Sequence, residues 1–186
     1  MGKVVDIRKQ LLSTHSKENT TRIVAWIGHD PARFAALITC MRSEEQILVQ
    51  RASWVLCDTG CIHPQLLSPY MEELLGWVQR PVHPALQRNL LKPIAESKHL
   101  FDDEEIEGKL VSICFDLLLN PAILPAAQVH AMQCIANRLH NYPDLAIELA
   151  AILEEGIQHA EAAYASRAKR LLKQIRKGHM ETNRKI

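Results

Sequence analysis

Cys57, Cys61 and His63 form the pattern C-x3-C-x-H, and Cys40 lies one predicted helix upstream. Thiolates and imidazoles are the ligands of tetrahedral zinc, so a small metal-dependent enzyme is one function this group raises. The spacing fits it poorly. Cys57 and Cys61 are one helical turn apart, His63 precedes Pro64 at a turn, and no second tight ligand pair occurs elsewhere. The simpler reading is a set of small buried residues at a helix–helix contact, and no metal or other cofactor is expected.

Nine histidines could supply acid–base chemistry near neutrality. They are scattered, however: His29, His63, His83, His99 and His140 lie near predicted helix ends, and His15, His159 and His179 in breaks or polar tails. Those positions suit capping or solvated roles; His130 alone sits on a helix interior. Glu104, Glu105 and Glu107 could pair as carboxylates, but an acidic run at a helix start is usually solvated and favoured by the helix dipole. No Gly-rich phosphate loop, H-E-x-x-H or G-x-S-x-G occurs. No catalytic residue is assigned, and the chain leans away from enzyme function.

Binding chemistry is the stronger theme. Arg51, Trp54, Arg88, Lys92, His130, Arg138, Arg167 and Arg170 recur along successive predicted helices and could form a basic stripe with one aromatic. The alternative is that these arginines bond neighbouring turns or carboxylates such as Asp58, with Trp54 in the core. Near the C-terminus, Arg167, Arg170, Lys173, Arg176 and Lys177 interleave with Ala168, Leu171, Leu172 and Ile175, giving one basic and one apolar face. Residues 161–186 hold eight Lys and Arg against Glu161 and Glu181, a net of +6 that leaves −5 for the remainder of a chain whose total is +1. So balanced a total argues against whole-surface attraction to nucleic acid or an anionic membrane.

The elements that must position these residues are helices. The sequence is 47% hydrophobic but only 5% aromatic, a mixture suited to helix-on-helix packing. Apolar residues recur every three or four positions, punctuated by Pro, Asn, Asp and Gly, which predicts about ten helices. Ser16 should cap the second helix, and Asp30-Pro31 should start the third. Ser43 with Glu44-Glu45 should cap the fourth, which should break at Gly60. Pro64 should begin the fifth and Pro84 the sixth, where Pro93 should kink the helix or end it early. The segment 102–105 should open the seventh, and the tenth should run from about Glu161 to Lys177.

A longer period overlies these elements. Gln50-Arg51-Ala52, Gln87-Arg88-Asn89, Val129-His130-Ala131 and Ser166-Arg167-Ala168 align in four alternate helices at offsets of 37, 42 and 37 residues. Together with Glu45–Leu56 as the second helix of one unit and Pro64–Tyr70 as the start of the next, this pattern resembles the HEAT-repeat family over about Asp30 to Lys177. The resemblance implies an all-α superhelix, or solenoid, of four to five helical pairs that bury a core only by stacking. It further implies one domain over 1–178, with 1–29 as capping helices, 30–178 as repeats and 179–186 as a flexible basic tail.

Two functions from different classes follow. The first is a non-catalytic scaffold that binds a protein, for which an acidic partner is expected, through Arg51, Trp54, Arg88, Lys92, His130 and Asn137, with Arg51 and Arg88 free to be reversed without unfolding the chain. The second is DNA binding, as in the HEAT-like DNA alkylation-repeat glycosylases, whose concave face carries basic and aromatic side chains. Five cysteines, an odd number set in apolar helical patterns, suit a reducing compartment. With no long apolar run and no leader-like start, a cytoplasmic location is expected.

Overall fold

The computed structural model describes residues 6–97 and 103–183, with side chains through Lys177. Among the described residues there are ten α-helices and no strand. They fall into two compact units, Met1–Asp102 and Asp103–Ile186.

The first unit contains α1 (Ile7–Ser13), α2 (Lys17–Ile27), α3 (Pro31–Met41), α4 (Gln46–Ile62), α5 (Met71–Gln79) and α6 (Ala85–Glu96). Its helix starts follow from short polar side chains meeting free amides. Ser16 accepts from the Asn19 amide at 3.1 Å, and Asp30 accepts from Ala32 and Arg33 at 2.8 and 3.2 Å ahead of Pro31. Ser43 does not cap α4 itself: the capping position is Glu45, whose amide donates to the Ser43 hydroxyl at 3.1 Å.

Three expectations for this unit are corrected. α4 does not break at Gly60 but continues to Ile62. A β-carbon at Gly60 would lie 3.0 Å from the Pro93 ring and 3.1 Å from Leu67, so glycine is there to let α6 approach. The Pro64 segment is not one α-helix. It forms two 3-10 turns, Pro64–Leu66 and Ser68–Tyr70, before α5 begins at Met71, because Pro69 cannot donate into a continuous α-helical ladder. Pro93 does not end α6 early either; it is buried in the last turn, and the helix runs on to Glu96.

The second unit contains α7 (Glu104–Leu119), α8 (Pro125–Ala136), α9 (Leu145–Gly156) and α10 (Ala162–Asn183). Asp103 opens α7 by accepting from Glu105 and Ile106 at 2.9 and 3.3 Å. α10 outruns its expected end at Lys177 and passes through Gly178, since one glycine costs a helix only about 1 kcal/mol. Of the expected flexible tail, 184–186 lie outside the described residues.

The repeat register is visible in the core of both units. Ala52, Asn89, Ala131 and Ala168, which occupy one aligned position, are each 0% exposed, and they fall on α4, α6, α8 and α10. The alanines at that position let α8 pack on α10, and on the α4–α6 side Ala52 makes room for Asn89. Among the described residues no helix is long and apolar enough to cross a membrane.

Candidate interaction surfaces

Four of the six face residues expected from the sequence lie in the first unit, on α4 and α6. Arg51 is half-buried, and its guanidinium donates to the carbonyls of Leu11 and Leu12, both at 2.9 Å. These are carbonyls of the last turn of α1, which have no intrahelical partner. Arg51 therefore fastens α1 to α4, and its expected tolerance of charge reversal does not fit this geometry. Trp54, one turn on, is 37% exposed. The Arg88 guanidinium lies over its ring at 5.4 Å, and the His15 ring meets it edge-on at 6.5 Å. Lys92 sits one turn beyond Arg88, 3.9 Å from Glu96.

Beneath this surface a buried polar link stands at the aligned position, where the other three helices carry alanine. The Asn89 amide donates to the Ser53 hydroxyl at 3.0 Å, and Ser53 donates to the Gln50 carbonyl at 2.7 Å. Arg88 also donates to the Asn89 side-chain oxygen, Oδ1, at 3.3 Å. The side chain that holds α4 against α6 thus also steadies the arginine over Trp54. The aligned triplets place Asn89 opposite alanines, but no local pattern marks Ser53 as its partner.

In the second unit His130 is half-buried on α8, and Asn137 follows that helix directly. Gln133 joins α8 to α10: its amide donates to Asn137 at 2.7 Å, and its oxygen accepts from Arg167 at 2.7 Å and Arg170 at 3.4 Å. Arg138 does not join an exposed basic stripe. Its side chain is 7% exposed and donates to the Cys134 carbonyl at 2.8 Å, with Glu107 at 3.4 Å. Nor is Glu107 solvated with its neighbours; it is 16% exposed and also accepts from the Tyr142 hydroxyl at 3.1 Å. That bond holds the Tyr142 phenol above its ordinary pKa.

The basic face of α10 is divided. Arg167 and Arg170 turn toward α8, whereas Lys173, Arg176 and Lys177, with Lys169, line a cleft against α9. Arg176 pairs with Glu154 there at 2.8 Å.

Among the described residues no three of His, Cys, Asp and Glu gather to hold a metal ion. Cys57 and Cys61 instead hydrogen-bond to each other. That bond lowers the pKa of Cys57 and, with burial and a further bond to Glu96, lifts Cys61 well above the ordinary thiol range. His63 ends α4 and meets the ring of His29 at 6.3 Å, and His83 accepts from the Ala85 amide at 3.1 Å at the start of α6. These are helix-end roles.

Neither a curated protein nor a solved structure gives a match. A model of the HEAT repeat domain does match, over residues 7–175, so α1 and α2 fall inside the repeat region that the sequence pattern places only from Asp30. With the aligned helices and their buried small position, that match establishes that the chain belongs to the HEAT-repeat family.

Proposed function

We propose that this chain is a non-catalytic scaffold that recognises a protein partner through the α4–α6 surface. The observation that carries the proposal is the Arg88–Trp54–His15 group, an exposed tryptophan held between a cation and an imidazole over a rigid buried link. Tryptophan and arginine dominate the energetics of protein interfaces because each offers a large contact area together with a polar edge. Steadying them before contact reduces the entropy lost on binding.

Protein is favoured over duplex DNA by how the cations are used. Arg51 is engaged by α1, Arg167 and Arg170 by Gln133, Arg176 by Glu154 and Arg138 by Glu107. A phosphate-binding stripe needs such groups directed outward. His130 and Asn137 stand as further contacts on α8, and an acidic partner suits Arg88 and Lys92. A reducing, cytoplasmic setting belongs to the same reading.

The test is affinity capture from the source cell with the wild-type chain and with R88E/K92E, followed by mass spectrometry. Arg51 stays unmutated because it fastens α1. The expected result is specific partners lost from the variant while its thermal unfolding is unchanged. Capture that survives the reversal contradicts the site. Salt-sensitive binding of duplex DNA by the wild-type chain would favour the nucleic-acid reading.

A further inference from the structure

The second unit carries a cleft of about 770 Å³ between α9 and α10. Ile157 and Leu172 give it an apolar floor, and Lys169, Lys173, Arg176 and Lys177 form its α10 wall, with Glu154 opposite. Lys169 to Lys177 spans eight residues, about 12 Å of helix or a little over two turns. Glu154 is engaged by Arg176. Lys169 and Lys173 are exposed and have no carboxylate within ion-pair distance among the described residues.

We propose that this cleft is a second binding site, which takes an acidic amphipathic helix from a protein partner. The cations along one wall call for carboxylates spaced at one-turn intervals. The floor calls for one or two apolar side chains on the neighbouring stripe of the same ligand, as in helix-in-groove recognition. A phosphate backbone would satisfy the lysines but leave the half-buried Ile157 facing a polar ligand. The cleft shares no residue with the Trp54 surface, so either site can fail its test while the other passes.

The test titrates the full chain with a synthetic amphipathic peptide of about 18 residues, roughly 27 Å as a helix, with Glu on one face and Leu on the other. A sequence-scrambled peptide of the same composition, a short duplex DNA and phosphatidylserine vesicles serve as competitors. Methyl NMR signals of Ile157 and Leu172 report the location. The expected result is saturable binding that shifts those two residues, weakens with salt, and falls by about tenfold or more in K169E/K173E, a pair of exposed positions whose reversal leaves the fold intact. Absence of saturable binding, equal affinity for the scrambled peptide, shifts confined to the first unit, or tighter binding of DNA or vesicles would each overturn the proposal. If K169E/K173E perturbs the unfolding transition, K169Q/K173Q is read in its place, and undiminished affinity there overturns it equally.

Discussion

The α4–α6 contact of the first unit and the α8–α10 contact of the second solve one packing problem with different chemistry. In the second unit the aligned position is Ala131 against Ala168, fully buried, and the polar link between the helices runs nearer the surface through Gln133. In the first unit one of the two aligned positions holds Asn89 instead of alanine, and its amide finds Ser53 inside the contact. A buried polar group without a partner costs about 1–3 kcal/mol, so the substitution is tolerable only because Ser53 is there. Departure from the repeat pattern coincides with the surface that carries Trp54. The second unit, for its part, buries an ion pair, Arg138 with Glu107, whereas the corresponding resource of the first, Arg42 with Glu73, is exposed.

That contrast can be broken at several points. The largest effect is expected from Glu107→Ala, which leaves Arg138 buried without its counter-charge and should cost about 3–5 kcal/mol in urea unfolding. Asn89→Ala should cost about 1–2 kcal/mol, while the double variant with Ser53→Ala should cost less than the sum of its singles, a coupling of about 1 kcal/mol in a double-mutant cycle. Gly60→Ala should lose about 1–2 kcal/mol by pressing on the rigid Pro93 ring. Gly108→Ala, where an added β-carbon meets nothing within 4 Å, should instead gain about 0.5–1 kcal/mol. The smallest effect concerns the exposed pair. Arg42 holds the Glu73 carboxyl below its ordinary value of 4.5, so the pair's contribution is present above that pH and is lost as pH falls through the lowered folded value. Arg42→Gln should therefore lower neutral stability slightly, flatten the acid limb of the stability profile, and leave stability below the lowered folded value unchanged.

Much of the fold was legible because it rests on local signals. Ser16, Asp30 and Asp103 cap helices whose starts they announce, and the alternate-helix register of Arg51, Arg88, His130 and Arg167 falls on α4, α6, α8 and α10. The structure departs from the sequence pattern where a long-range neighbour or a helix end overrides a local rule. Gly60 is a helix breaker only until Pro93 is known to lie against it, and Pro93 is tolerated because it occupies a final turn. The site was less legible. Trp54 and Arg88 were singled out, but spacing alone could not tell an outward arginine from one bonded to a carbonyl 39 or 40 residues away, as Arg51 is. Glu107 and Arg138 are buried together although nothing in α7, or in the turn after α8, announces the other. Lys169 contributes to the tail's charge, and the face it shares with Lys173 becomes a cleft wall only when α9 is packed alongside.

The central claim is that partner recognition centres on Trp54 and Arg88. Hydrogen–deuterium exchange of the chain with and without a captured partner measures this directly. The account predicts added protection in peptides covering α4 and α6, abolished in R88E/K92E. Protection confined to residues 103–186, or protection over α4 and α6 that persists in the variant, would contradict it.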